Sequence, residues 1–282
     1  MIIFPFSMKA EYITIKTSQR GTVFMKTARH PRHITSKLKK NEALMQSKTL
    51  RSYLPETHRF NKENLHSMLM RYQMVYVKPV NGTWGKGVMR VEYKPHSRHG
   101  IYQYQLDKKI RTHNSVDELY RSIRKHKLKG RYLVQQGIEL LKYDQRRFDL
   151  RVMVQRTPQK VWKTTGMIGR LAHPKKIVTN YHNDGKLVSV EKLLSPYLKG
   201  SRLKSYTSML GNFGEDIANH LKKSFPGLRE IGVDVAIDQK LRPWILEVNT
   251  APDPFIFRKL KAKSIFRTIM KYARAYGKYK RK

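Results

Sequence analysis

The segment 230–249 constrains the fold more than any other part of the chain. Ile231, Val233, Val235 and Ile237 recur at every second position, the period of a strand with one buried face, and Asp234 falls on the other side. A short turn, Asp238-Gln239-Lys240-Leu241-Arg242, leads into a second strand-like run, Trp244-Ile245-Leu246-Glu247-Val248-Asn249. The midpoint between 234 and 247 lies inside that turn, so an antiparallel hairpin sets Asp234 opposite or diagonal to Glu247. Glu247 and Asn249 are two apart and share a face. Two carboxylates and an amide oxygen therefore converge on one patch. Thr250-Ala251-Pro252-Asp253-Pro254 then ends the strand and can hold Asn249 in place. Hard oxygen donors of this kind suit Mg²⁺, which takes a few protein oxygens together with phosphate and water. The competing reading is that each carboxylate pairs with a nearby Lys or Arg.

The carboxylates matter because they run against the charge of the chain. Among 282 residues, 59 Lys and Arg face 20 Asp and Glu, a formal charge of +39. Such an excess points to a polyanionic partner: an anionic polymer, an acidic protein or nucleic acid. Its spread through the whole chain fits a generally basic surface equally well. The densest stretch follows Asp253, with 11 Lys and Arg and no acid. There is no cysteine, which excludes disulfides, thiolate catalysis and zinc–thiolate sites. Apolar residues at 39% and aromatic residues at 10% are enough for a folded core. No run approaches the roughly 20 apolar residues of a membrane helix, so no membrane span is expected. The opening MIIFPFSMKAEY lacks a basic start and contains Pro5, so it does not read as a signal peptide.

A second chemical feature lies upstream. Met74-Val75-Tyr76-Val77 reads as a buried strand. It runs through Lys78-Pro79 into Val80-Asn81-Gly82-Thr83-Trp84-Gly85-Lys86-Gly87, and 88–93 returns as a strand. Glycines let backbone amides approach phosphate oxygens, and Lys78 adds a point charge. The P-loop string is missing and a strand follows, so this is neither a P-loop nor a dinucleotide-binding turn. A plain flexible turn is the alternative.

The remaining pattern mixes helices and strands. Residues 12–15 read as a short strand, and 37–47, 61–72 and 204–223 as helices. Ser115-Val116-Asp117-Glu118 is a capping box opening a helix that runs to about 126. Residues 102–106, 132–135, 148–155 and 161–168 read as strands, the last two joined near Thr157-Pro158. From 255 the tail reads as helical, with Ile265, Ile269, Tyr272 and Tyr276 spaced for burial. The fold class is α+β with antiparallel strands around the distinctive residues.

With both features in hand, the chain resembles the ATP-grasp superfamily. From 54 to 254 it is similar to the YheC/YheD family of endospore coat-associated proteins. The strings that carry the resemblance are Leu54-Pro55-Glu56-Thr57, Val77-Lys78-Pro79 with the glycine loop, Gln135-Gln136-Gly137-Ile138, Arg147-Phe148-Asp149-Leu150-Arg151-Val152, Val178-Thr179-Asn180 and Leu246-Glu247-Val248-Asn249. The resemblance implies two α+β lobes gripping ATP between antiparallel sheets. It divides the chain into a reduced N-terminal region (1–53), a small lobe with the glycine loop (54–134), a large lobe with the metal site (135–255) and a basic C-terminal helix (256–282). It implies that Lys78 contacts the ATP phosphates while Gly82, Gly85, Lys86 and Gly87 close over them. Gln135, Gln136, Gly137 and Ile138 would form the hinge strand beside adenine. Asp149 would lie on the ribose side, and Asn180 would help position the nucleotide. Arg151 and Arg170 would act near the phosphates or an acyl phosphate. Asp234, Glu247 and Asn249 would hold one or two Mg²⁺. Asn183-Asp184-Gly185 departs from the glycine pair often found there, and a second phosphate-contacting lysine has only Lys39, Lys40 and Lys48 as candidates.

The expected activity is that of an ATP- and Mg²⁺-dependent ligase joining a carboxylate to an amine, or a thiol, through an acyl phosphate. The expected setting is the cytoplasm, with spore association. The alternative is a non-catalytic basic coat, envelope or polyanion-binding protein that keeps the ATP-grasp fold. Nucleic-acid binding has no recognition helix, aromatic RNA-binding string or zinc finger behind it. Neither the two substrates nor the oligomeric state is readable from the sequence.

Overall fold

The computed structural model describes residues 31–82, 85–95, 101–174, 177 and 185–279. The expected strand at 12–15 and the string Val178-Thr179-Asn180 lie outside them.

After an extended entry, α1 (Lys37–Met45) is capped by Ser36, whose hydroxyl accepts from the Lys39 amide. β1 (Thr57–Arg59) follows the Leu54-Pro55 break. α2 (Lys62–Tyr72), β2 (Met74–Pro79), β3 (Met89–Lys94), β4 (Ile101–Leu106), β5 (Lys109–His113), α3 (Val116–His126) and β6 (Tyr132–Gln136) complete the first half. Their strands form one antiparallel sheet in the order β1-β6-β2-β3-β4-β5. Helices α2 and α3 supply Leu65, Met68, Leu69, Leu119 and Ile123 to its core, where they meet Val75, Val77 and Val91. Each such side chain contributes about 1.5–3 kcal/mol relative to exposure. Asn61 caps α2 and Ser115 caps α3, and Glu118 reaches back to the amide of Asn114, one residue beyond the cap itself.

The second sheet is built from β7 (Lys142–Tyr143), β8 (Arg146–Arg156), β9 (Trp162–Leu171), β10 (Lys186–Val188), β11 (Glu230–Ile237) and β12 (Pro243–Asn249). Its order is β10-β9-β8-β11-β12, with β7 joined to β8. Two helices, α4 (Val190–Leu194) and α5 (Gly200–Ser224), precede β11. Leu210, Phe213, Ile217 and Leu221 of α5 pack on Val152, Val154 and Val233, with Leu44, Leu50 and Leu54 from the α1 segment in the same core. A 3₁₀ turn (Phe255–Lys259) and α6 (Lys263–Ala275) close the chain. The expected continuous tail helix is therefore broken at 260–262. The Tyr276 hydroxyl donates to Glu230 and accepts from Gln155, and Lys278 pairs with Glu230, so the tail is tied to the far end of the sheet.

Among the described residues, no helix is long and apolar enough to cross a membrane. The short strands β1, β5 and β10 were not legible in the sequence, having too few alternations to show a period.

Candidate functional site

The two sheets face each other across a cavity of about 300 Å³. The β11–β12 hairpin supplies part of its wall; the turn alone would set Asp234 opposite Leu246, and a β-bulge after Ile245 shifts the register by one residue so that Asp234 stands opposite Glu247. The neighbouring pairings extend that row. Asp234 stands beside Arg151 on β8, and Asp149, two residues back, stands beside Arg170 on β9.

These four side chains form a closed charge network. Arg170 donates to Asp149 at 2.8 and 2.6 Å through Nε and an Nη, and the same Nη lies 3.0 Å from Asp234. Arg151 donates to the two Asp234 oxygens at 2.5 and 3.1 Å. All four side chains are at most 10% exposed. Burial works against the Asp234 charge, but Arg151 and Arg170 overcome it and hold the carboxyl below the ordinary aspartate pKa. Burial likewise opposes the Arg170 charge, and Asp149 and Asp234 more than offset it, raising its pKa. Asp149 and Arg151 are two residues apart in the chain but are not partners. The sheet register assigns their partners, because residues two apart on one strand share a face and each meets a residue of a neighbouring strand.

The opposite wall carries unbalanced charge. Lys78, at the end of β2, donates to the Gln135 side chain at 2.7 Å and to the Leu246 carbonyl at 3.4 Å. Burial lowers its pKa to about 8, with Glu247 and Asp234 opposing the shift and Lys37 adding to it. Lys37 of α1 points into the cavity and lies 3.6 Å from Glu247. Behind it Lys40 is 5% exposed, its pKa also lowered by burial. Two lysines of the cavity wall, with a third behind them, thus surround one carboxylate. Of these, Lys37 was missed by the sequence reading, and Lys39 and Lys48 do not line the cavity.

The structure brings together Lys78, Gly82, Gly85, Gln135, Gln136, Ile138, Asp149, Arg151, Arg170, Asp234, Glu247 and Asn249 on this cavity. Lys86, Gly87 and Gly137 do not line it. Gly87 has φ +73°, and a Cβ there would lie 2.6 Å from the Tyr132 hydroxyl. Gly137 has another reason to be glycine: a Cβ would lie 2.6 Å from the Met74 carbonyl oxygen and 1.9 Å from its sulfur. Ile138, Leu140 and Leu246 offer an apolar side, while Ala251, Pro252, Asp253 and Ile256 line the region after β12.

The donor set accepts a magnesium nucleotide only in part. Glu247 and Asn249 present hard oxygens to the cavity. Both Asp234 oxygens are held by guanidinium groups, and among the described residues no three His, Cys, Asp or Glu side chains gather as metal ligands. Protein ligation of Mg²⁺ would fall to Glu247 and Asn249, with phosphate and water completing the shell.

Comparison with known proteins gives the context. The family described as YheC/D-like ATP-grasp matches residues 29–279. Endospore coat-associated protein YheC of Bacillus subtilis (strain 168) is 21% identical over 210 residues, covering 74% of this chain and 57% of that protein. Endospore coat-associated protein YheD of the same organism is 25% identical over 192 residues, covering 66% of this chain and 41% of that protein. The chain thus spans about half the length of the curated relatives it matches.

Proposed function

This chain belongs to the YheC/D-like ATP-grasp family, and on that premise we propose that it binds ATP with Mg²⁺ in the cavity between its sheets and joins a carboxylate to an amine. The observation that carries the reading is the meeting, in one cavity, of Lys37 and Lys78 with Glu247, Asn249 and two carboxylate-locked arginines.

The residues divide the work. Lys78 and Lys37 take the phosphates, exchanging their contacts to Gln135 and Glu247 for charged oxygens. Ile138, Leu140 and Leu246 receive the base, and the loop with Gly82 and Gly85 covers the phosphates. Glu247 and Asn249 hold Mg²⁺, which when bound neutralises phosphate charge. Arg151 and Arg170 are already oriented by Asp149 and Asp234, so little reorganisation is needed where charge develops. An oxygen of the carboxylate substrate attacks the γ-phosphorus as the bond to the β-phosphate oxygen breaks, releasing ADP. The amine nitrogen then attacks the acyl carbon and loses a proton, and inorganic phosphate leaves.

One observation favours a second reading. Asp234 is fully engaged by arginines, which suits a nucleotide-binding module without turnover. The relatives' names as endospore coat-associated proteins support a role at the spore coat under either reading, with the protein made in the cytoplasm.

The test is a thermal-shift series with ATP, with and without Mg²⁺, followed by ADP release over a panel of carboxylates and amines. The ligase reading expects a Mg²⁺-dependent shift, lost in Glu247→Gln, and ADP release with at least one pair. No shift in the wild type sinks both readings; a shift with no ADP release leaves the binding module standing.

A further inference from the structure

A second concavity lies between the 3₁₀ turn and α6. It measures about 1030 Å³ and borders Phe255, Phe266 and Met270 on its apolar side and Arg258, Arg267, Lys271 and Arg274 on its charged side. Phe255 is 48% exposed, a large apolar ring left in water in a strongly basic region. Lys271 and the three arginines are all exposed. No acid occurs after Asp253, so the segment supplies no counter-charge of its own. Among the described residues none of these four cations makes an ion pair, whereas Lys278, farther along, is paired with Glu230.

We propose that this groove docks an acidic polypeptide segment of a partner protein, its carboxylates on the basic rim and its apolar side chains on Phe255, Phe266 and Met270. Charge complementarity selects the occupant. A second copy of this chain, at +39, is repelled. Segment 1–30, with five Lys and Arg against one acid, is no better matched. The shape of the apolar side selects polypeptide over nucleic acid. Phe266 and Tyr279 meet the Phe255 ring at 46° and 71°, so the three rings make an uneven apolar patch and not a parallel platform for stacked bases. Arginine and exposed aromatic rings side by side are the composition of a protein-binding surface. The docked segment would lie beside the nucleotide cavity, since Ile256 of the same turn lines that cavity while Phe255 and Arg258 line the groove.

The full chain is titrated into a fluorescein-labelled peptide in which Glu alternates with Leu and Phe, and anisotropy is followed at physiological salt. Arg267→Glu with Lys271→Glu weakens binding more than tenfold, and Phe255→Ala weakens it at least threefold. Lys108→Glu with Lys109→Glu makes the same change in net charge at the exposed β4–β5 turn and the start of β5, and changes affinity less than twofold. Melting curves establish that each variant folds, and Lys271→Glu alone replaces the double variant if that one does not. The proposal is overturned if the peptide does not bind, if the β4–β5 double variant weakens binding as much, or if Phe255→Ala has no effect. It is equally overturned if oligo-dT binds more tightly than the peptide, or if the groove variants instead abolish self-association of the protein.

Discussion

The two walls of the cavity handle charge in opposite ways. On the β8–β9–β11 wall, two arginines and two aspartates neutralise one another inside the protein, each guanidinium and carboxylate bonded. On the side where α1 and β2 face Glu247 of β12, Lys37 pairs with that carboxylate, Lys78 feels its charge, Lys40 lies behind, and their positive charge is not matched. The first wall is neutralised by its own side chains; the second carries positive charge in excess of its one carboxylate. A rigid, self-satisfied surface is suited to hold geometry, and an under-neutralised one to bind. Charged side chains of the same two signs, lining one cavity, therefore predict different responses to substitution.

The largest expected effect is on the first wall. Asp234→Ala leaves Arg151 without its carboxylate and Arg170 with one partner instead of two, both buried, and costs about 3–5 kcal/mol of stability. Urea unfolding measures it, and a loss below about 1 kcal/mol would dissolve the distinction between the walls. Next comes nucleotide affinity on the second wall. Lys78→Met removes a charged hydrogen bond to phosphate worth about 1.5–3 kcal/mol, so ATP binds roughly 10–100-fold more weakly. The same substitution leaves unfolding stability unchanged or raises it, because it also removes a buried, poorly compensated charge.

The pH dependence is smaller and has a defined sign. The Lys78 pKa in the folded chain, about 8, lies below the ordinary lysine value of 10.5. The unfolded chain therefore holds this proton more tightly. The Lys78 contribution to stability is lowest below about pH 8 and increases as pH rises from about 8 toward 10.5. Phosphate binding needs the charged form, so ATP affinity falls over the same rise. Lys78→Met abolishes this difference between pH 7 and pH 9. The smallest effect sought is at Lys37, whose 3.6 Å contact to Glu247 is partly exposed. Lys37→Ala changes stability by less than about 1 kcal/mol, yet weakens ATP binding several-fold. Equal effects on both would make Lys37 a structural ion pair.

What the sequence disclosed follows from the range of the interactions. The β11–β12 hairpin was legible to within one residue because a strand alternates with period 2 and a short turn limits which residues meet; the bulge that completes the Asp234–Glu247 pair was not. Of the glycine loop and its lysine, Lys78, Gly82 and Gly85 line the cavity, and Lys86 and Gly87 do not. The partner of Arg151 was not legible, because it depends on how β8 aligns with β11, and Arg151 and Asp234 lie 83 positions apart in the chain. Lys37 was hidden in KLKKNEALM, a helix that buries only Lys40, Ala43 and Leu44, and its contact with β12 bridges opposite ends of the chain. Gln135 and Gln136 were read as the adenine edge, and both line the cavity; in the free protein Gln135 instead bridges Lys78 and Thr57, a link that only the sheet order reveals.

The central claim is that the under-neutralised wall is a nucleotide site. Isothermal titration of ATP with Mg²⁺ into the wild type and Lys78→Met, each at pH 7 and pH 9, tests it most directly. The account predicts binding by the wild type at pH 7 that weakens at pH 9, and binding by Lys78→Met that is 10–100-fold weaker at pH 7 and the same at both pH values. Equal affinity for wild type and variant, with no change between pH 7 and pH 9 in either, would contradict it.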